Sequence, residues 1–268
     1  MKILLNNQIY DSSSTQVNIS EAGIQYGFGL FETLKLTNGV PEDLGMHLNR
    51  LQTSMNHFNL SVDNLRQKVN EGINKICVAN DVFDGILKIS VLKGNQENHL
   101  LFTMRPNTYS KDRYEKGFKL GLSKIKRNPY SDLVYHKTCN YMECVYERQK
   151  VIERGYDEVL FINIHDELAE GAVSNLFWVK DNNLYTPSLS TGILNGITRG
   201  KIIDYAEKNG IKVHQGSYKL KELENADACF ITNSIMGIMP VSEIENTWYS
   251  KDNRIIQEII RKLKNSLK

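Results

Sequence analysis

A change of period divides the first hundred residues into two kinds of structure. An extended run through Leu30 to Leu36 stops at Asn38-Gly39, the strongest short hairpin signal that a sequence carries. From Leu44 the apolar spacing turns helical, with Leu51, Met55 and Phe58 three, seven and ten residues beyond Leu48. A second helix is predicted over 64–79, burying Leu65, Val69, Ile73 and Ile76. An opening hairpin turning at Asn6-Asn7 and a glycine-marked stretch (Gly23, Gly27, Gly29) precede these elements, and strands over 86–92 and 100–104 follow. A segment with this order folds as strands packed on a pair of helices.

The remainder reads as a second region. Residues 106–116 are polar, charged and without period, which predicts an interdomain linker. The expected organisation is a small N-terminal domain over 1–107, a linker over 108–117 and a larger domain over 118–268, the whole in the α/β (mixed α+β) class. Within the larger domain, strands are predicted over 119–124, 158–163, 175–180, 184–186 and 228–232. A helix is expected over 140–154, and a glycine-rich loop, Gly192 to Gly196, leads into another that starts at Thr198 and stops before Gly210. A loop is expected to run from the last strand to Pro240. The tail over 255–263 is an amphipathic helix, with packing on the core or on a second copy favoured over a membrane surface.

Charge and composition narrow the function classes. The chain has 268 residues, and 33 Lys+Arg against 31 Asp+Glu leave a net charge of +2, with both signs interleaved, so no basic face for nucleic acid is built. The densest basic cluster, Lys124, Lys126 and Arg127, reads as a solvated turn before Pro129. No apolar run approaches the roughly 18–20 residues that span a bilayer, and the first ten residues read as a strand and turn, not a signal core. Cys77, Cys139, Cys144 and Cys229 match neither zinc nor thioredoxin spacing and are expected to be reduced thiols in a cytoplasmic protein.

Several kinds of chemistry drop out. The chain has no G-x-S-x-G elbow and no H-E-x-x-H, and its six histidines are scattered, so no metal site is expected. Gly27-Phe28-Gly29 lacks the third glycine of a dinucleotide fingerprint and precedes a strand, not a helix. Gly196 to Lys201 fails as a phosphate loop of the Walker type, because Ile202 stands where a hydroxyl should hold magnesium. What remains is a possible phosphate cradle. The loop Gly192 to Thr198 opens a helix whose first N–H groups point outward, and Thr232-Asn233-Ser234 follows a strand with further donors. Taken alone, each is more readily a helix cap and a strand-end turn. Lys137 stands at the mouth of a predicted helix beside apolar Leu133, Val134 and Tyr135, where a lowered pKa would make it an amine nucleophile; the plain alternative is a solvated lysine. Glu170, in an expected turn, is either a solvated carboxylate or a fixed negative charge for a cationic ring nitrogen.

Six segments in collinear order resemble the class IV aminotransferases, the fold-type IV pyridoxal-phosphate enzymes. They are Gly27-Phe28-Gly29-Leu30-Phe31-Glu32-Thr33, His47-Leu48-Asn49-Arg50-Leu51, Lys137-Thr138 with Asn140-Tyr141, Glu170-Gly171 with Ser174-Asn175-Leu176-Phe177, Gly196-Ile197-Thr198-Arg199, and Asn233-Ser234 leading to Pro240-Val241. The resemblance implies two α/β domains of the D-amino acid aminotransferase type with pyridoxal 5'-phosphate between them, and a homodimer. It also implies roles. Lys137 resembles the lysine that holds the cofactor covalently and moves the proton, and Glu170 the carboxylate that pairs with the pyridine nitrogen. Arg50 is similar to the arginine that grips the phosphate. Ile197 and Thr198 resemble the donors at the helix mouth, and Ser234 and Asn233 those of the second cradle. Leu194 matches the leucine on the ring face, and Tyr141 the tyrosine that reaches the phenolic oxygen.

Within the family, the loop from Asn233 to Val241 is most similar to that of aminodeoxychorismate lyases, with Gly237 where aminotransferases usually place a glutamate. D-amino acid aminotransferases carry an arginine and a histidine two apart as a carboxylate trap; Glu97-Asn98-His99 here keeps only the histidine and puts an acid in place of the arginine. The resemblance therefore implies conversion of 4-amino-4-deoxychorismate to p-aminobenzoate and pyruvate, a step of folate biosynthesis. The alternatives are an aminotransferase acting on branched-chain or D-amino acids and a catalytically silent phosphate- or vitamer-binding protein.

Overall fold

Asn6-Asn7 and Asn38-Gly39 take positive φ at both positions, the backbone of a two-residue hairpin whose twist matches its strands. In the computed structural model of the chain, which describes residues 1–265, these turns close the first hairpins of one of two compact units. The first unit comprises residues 1–108 together with 136–140. Its elements are β1 (Lys2–Leu5), β2 (Gln8–Asp11), α1 (Ala22–Gln25), β3 (Gly29–Thr37), β4 (Val40–Pro41), α2 (Leu44–His57), α3 (Leu65–Asn80), β5 (Gly85–Leu92) and β6 (His99–Arg105). The six strands form an antiparallel sheet in the order β2-β1-β6-β5-β3-β4. Alternation along β3 and β5 sends Leu30, Leu34, Leu87, Ile89 and Val91 to one face, where they bury against Leu48, Leu51 and Met55 of α2 and Val69, Ile73 and Ile76 of α3. The helical and extended patterns of the sequence thus supply the two layers of one core.

Segment 136–140 joins this unit from far along the chain. The N–H of Phe31 donates to the Lys137 carbonyl (2.9 Å) and the N–H of Cys139 to the Gly29 carbonyl (2.8 Å), with Leu30 opposite Thr138. It therefore acts as a short added strand along the start of β3, which β4 leaves unpaired. Gly29 is required there, since a Cβ would come within 2.7 Å of Leu92 Cδ2 and 2.9 Å of the Val91 carbonyl.

The second unit comprises residues 109–135 and 141 onward. It contains α4 (Lys111–Lys116), β7 (Phe118–Leu122), α5 (Met142–Glu153), β8 (Glu158–Ile162), β9 (Leu168–Gly171), β10 (Asn175–Lys180), β11 (Asn183–Pro187), α6 (Ile197–Lys208), β12 (Val213–Gly216), β13 (Ala228–Asn233), β14 (Gly237–Ile244), β15 (Thr247–Trp248) and α7 (Arg254–Asn265). The sheet runs β12-β11-β10-β13-β14-β7-β8-β9, with β15 on β14. Because β9 also pairs with β10, at Glu170 and Asn175, six strands close into a ring. Leu120, Leu160, Leu168, Leu176, Trp178, Ile231 and Met239 belong to one core cluster of this unit.

Two expectations change here, and a third, the packing of the tail helix, holds. Residues 111–116, read as structureless, form α4, whose Tyr114 hydroxyl donates to the Met236 carbonyl (2.7 Å). The stretch up to Pro240, read as a loop, turns tightly at 234–236 and returns as β14, with Pro240 opposite Phe230. A proline is tolerated in this strand because pairing with β7 begins only at Val241, so the missing N–H falls beside the start of that ladder. The tail helix α7 spends its apolar face on the core: Ile255, Ile256 and Ile259 bury in the same cluster as Ile202, Ile203 and Ala206 of α6. Each such side chain contributes about 1.5–3 kcal/mol, which favours the core over a membrane surface.

Candidate active site

Closure of the strand ring places Glu170. Expected in a turn, it lies within β9, buried (6% exposed), and its carboxylate is held from three sides. Oε2 accepts from Asn175 Nδ2 (3.2 Å) and from the Leu194 N–H (3.0 Å), and Oε1 from Arg127 Nη2 (3.3 Å). Asn175 Nδ2 also reaches the Leu194 carbonyl (2.9 Å), so one amide ties the loop before α6 to the carboxylate. Arg127 corrects the reading of its basic cluster as a solvated turn. It is largely buried, stacked 4.6 Å over the Phe161 ring and bonded to Cys144 Sγ (3.3 Å). Burial pushes its pKa down, but the charges of Glu170, Cys144 and Tyr141 outweigh that and hold it above the ordinary value. No local pattern marks Arg127 in the sequence, because its carboxylate partner lies 43 residues away.

The two small-residue loops meet the same end of the sheet, since Asn175 lies opposite Thr232 across β10 and β13. The helix α6 starts from Gly196, which has no side chain to cap it, so the first-turn amides face outward with the positive end of the helix dipole. A Cβ at Gly196 would lie 2.0 Å from Asn175 Oδ1. Ile197 is buried and Thr198 half-buried in this first turn. Arg199, next in the motif, points inward and donates to the Pro187 carbonyl and to Gln215 Oε1 (2.9 Å each); burial lowers its pKa to about 10. In the second loop, Asn233 Oδ1 accepts from the N–H groups of Ile235 and Met236 (2.9 Å each), and its Nδ2 donates to the Val173 carbonyl (3.0 Å). Asn233 thereby shapes the turn that presents Ser234. The Ser174 hydroxyl is buried with no hydrogen-bond partner among the described residues.

Tyr141 precedes α5 and donates its hydroxyl proton to the Ala172 carbonyl, which leaves an acceptor oxygen. Burial, together with the negative charges of Cys144, Glu170 and Glu158, pushes its pKa up. A buried carboxylate, outward helix amides and hydroxyls form a donor and acceptor set suited to a cationic ring nitrogen at one end and a phosphate at the other.

In the first unit, pairing with β3 brings the Lys137 side chain over Phe31, with Nζ 4.5 Å from the ring centre. The lysine is therefore positioned by a strand, not by the predicted helix mouth. Arg50, on α2, grips Glu32 through a fork, Nε to Oε1 (2.7 Å) and Nη2 to Oε2 (2.6 Å), and His47 Nδ1 donates to Oε2 (2.7 Å). The Glu32 carboxylate is pushed up by burial, yet the Arg50 charge and the bonds from Arg50 and His47 hold it down at about 2. Glu32 and His47 belong to the recognised motifs, but their joint action on Arg50 is visible only in the fold.

The sequence profile of the class IV amino-transferases matches residues 29–244. The chain belongs to this family. The match extends from the start of β3 through β14, so it takes in every candidate site residue named above. An aminodeoxychorismate lyase of Bacillus subtilis is 28% identical over 261 residues, covering 94% of this chain and 89% of that protein. A D-alanine aminotransferase of Listeria monocytogenes is 27% identical over 268 residues, covering 95% and 91%. The crystal structure of 4-amino-4-deoxychorismate lyase from Pseudomonas aeruginosa superposes with a TM-score of 0.87 over 99% of each chain at 24% identity, a likeness of fold. The architecture is the mixed α/β fold-type IV of this family, and among the described residues no helix is long and apolar enough to cross a membrane.

Proposed function

We propose that the protein is a pyridoxal-phosphate-dependent aminodeoxychorismate lyase, converting 4-amino-4-deoxychorismate to p-aminobenzoate and pyruvate. The observation that carries this reading over transamination of D-amino acids is the state of His99. Its Nε2 donates to Glu21 (2.7 Å) and its Nδ1 accepts from Asn6 (2.9 Å), so the one remaining member of the carboxylate trap is spent on an acid of this same unit, beside an exposed Glu97. An α-carboxylate would meet negative charge there.

Pyridoxal phosphate, when bound, supplies an aldehyde for the substrate amine and a ring that draws electrons from the amine-bearing carbon. Glu170, braced by Arg127, Asn175 and the Leu194 amide, would pair with the ring nitrogen, and Leu194 would pack on the ring. The amides of Ile197 and Thr198 and the hydroxyl of Ser234 would bind the phosphate, with Asn233 holding the loop, and Arg50 is read from its motif alone as a further phosphate ligand. Tyr141 offers its oxygen to the phenolic group. Lys137 would hold the cofactor through Nζ. The same Nζ would take the proton from the amine-bearing carbon of the substrate as the neighbouring carbon–oxygen bond of the enolpyruvyl ether breaks, and would return a proton to the departing enolpyruvate. Aromatisation of the ring drives the step.

The reading brings with it a cytoplasmic homodimer acting on a small molecule. The outward side of α5, where Met142, Val145 and Tyr146 are exposed, supports a second copy as partner. The near-equal similarity to a D-alanine aminotransferase keeps transamination as the second reading. Absorption spectroscopy separates the two. A cofactor band that survives every amino donor offered without an acceptor, together with release of p-aminobenzoate from aminodeoxychorismate, is expected of the lyase. Bleaching to the pyridoxamine form by a branched-chain or D-amino acid would establish the aminotransferase instead. Lys137→Ala is expected to abolish turnover, and appreciable activity in that variant would remove Lys137 from the reaction.

A further inference from the structure

The strand that carries Lys137 enters the first unit at His136, since Tyr135 and the residues before it back to Tyr109 belong to the second. From Lys137 onward it is held by the bonds of Phe31 N–H to the Lys137 carbonyl (2.9 Å), Cys139 N–H to the Gly29 carbonyl (2.8 Å) and Asn140 Nδ2 to the Gly27 carbonyl (3.1 Å). These bonds fix the register on β3 but leave the entering end able to roll about its own axis. The His136 side chain closes that end. Its Nδ1 is hydrogen-bonded to the Ser54 hydroxyl (2.8 Å), and its ring stacks on that of His57, the last residue of α2, with centroids 4.5 Å apart and planes at 28°. Phe58 meets the same ring edge-on at 4.9 Å.

Alternation turns this contact into a lever. Neighbouring side chains of an extended strand point to opposite faces. Thr138, opposite Leu30, is buried on the core side, and His136 shares that side, where α2 receives it. Lys137 stands on the other side, over Phe31. A roll of the strand would swing Lys137 Nζ as it swings His136, so fixing one ring fixes the direction of the other side chain. Ser54 is a firm anchor. It is 4% exposed and lies one turn beyond Arg50 on the same stripe of α2, so the lysine strand and the Arg50–Glu32 fork are held by one helix. His136 lies outside the recognised segments of the sequence.

We propose that His136 is the positioning residue of Lys137: its imidazole, tied to Ser54 and stacked on His57, sets where Nζ points. The inference rests on Lys137 as the amine that attaches pyridoxal phosphate. A misplacement of about 1 Å costs on the order of 100-fold in rate, so an anchor that never touches the reactants decides how fast the lysine reacts.

The test compares two ligands of the full chain freed of cofactor. Pyridoxal 5'-phosphate attaches to Lys137 as Nζ condenses with the aldehyde carbon and water leaves, and borohydride reduction fixes the product for mass analysis. Pyridoxamine 5'-phosphate fills the same site and has no aldehyde for the lysine. His136→Ala is expected to slow attachment by about 10- to 100-fold and, in the reconstituted enzyme, to lower kcat by a similar factor, with KM and pyridoxamine 5'-phosphate affinity within about threefold of wild type. Ser54→Ala, which removes only the hydrogen bond, is expected to show a smaller loss of the same kind. His136→Asn, whose amide occupies the place of Nδ1, is expected to recover part of it. Attachment at the wild-type rate in His136→Ala would overturn the proposal. So would equal weakening of both ligands, since His136 would then serve the fold and not Lys137. Failure of the wild type itself to attach the cofactor at Lys137 would overturn the functional reading together with the proposal, a result distinct from either of the others.

Discussion

Glu32 and Glu158 are each only 1% exposed, and their surroundings drive them in opposite directions. Glu32 is held at about 2 against an ordinary 4.5 by Arg50 and His47, which outweigh its burial. Glu158 is pushed up to about 7 by burial, which its distant partner Arg148 (3.5 Å) and backbone N–H donors offset only in part. The depressed group adds stability that is present above pH 4.5 and lost as pH falls toward 2; the raised group favours the fold below pH 4.5, and that advantage is lost as pH rises to about 7. Each shift corresponds to about 3 kcal/mol. Glu32→Gln is therefore expected to destabilise the protein by about 3 kcal/mol at pH 7 and to flatten the acid limb, whereas Glu158→Gln is expected to stabilise it at pH 8 and to be neutral near pH 4. Urea unfolding across pH 3–8 measures both. At this scale the sequence marks Lys137, Glu170 and Arg50 through their motifs. It hides Arg127 and Glu158, because a lone charged residue looks solvated until a distant strand or ring is packed beside it.

The helix α6 exposes the logic of one element. Its two glycines sit four residues apart and have different neighbours. A Cβ at Gly196 would strike Asn175 Oδ1 at 2.0 Å, whereas one at Gly200 meets nothing within 4 Å. Gly200→Ala is expected to stabilise the protein by about 0.5–1 kcal/mol through helix propensity alone. Gly196→Ala is expected to displace Asn175, release its bonds to Glu170 and Leu194, and weaken binding of pyridoxal phosphate by about 10-fold or more. Cofactor titration and thermal unfolding of the two variants distinguish these outcomes. Elements with long periodic patterns, such as α2 and α3, and the apolar run of β10 were legible in the sequence, as were the turns at Asn6-Asn7 and Asn38-Gly39, both with positive φ. The short strands β9 and β12 were not legible, because four residues carry too little period, and β14 was masked by Pro240.

At the scale of the molecule, the first unit is not a contiguous stretch of chain. The early half of β3 is an edge until residues 137–139 cover it, so a fragment ending at residue 108 lacks its last strand. Such a fragment is expected to self-associate through the bare edge at Gly29 to Phe31, and sedimentation of 1–108 against the full chain measures it. Local pattern settled what the local chain can settle: which segments are helix or strand, where hairpins turn, and which six motifs mark the family, because propensity, period and turn chemistry act over a few residues. Tertiary structure decided the rest. The pairing of 137–139 with β3 sets Lys137 over Phe31, and closure of the ring at Glu170 and Asn175 brings Arg127 and the α6 loop to one carboxylate. Those contacts join residues that lie tens to more than a hundred positions apart. Their energy depends on burial and distance, which exist only once the chain is folded.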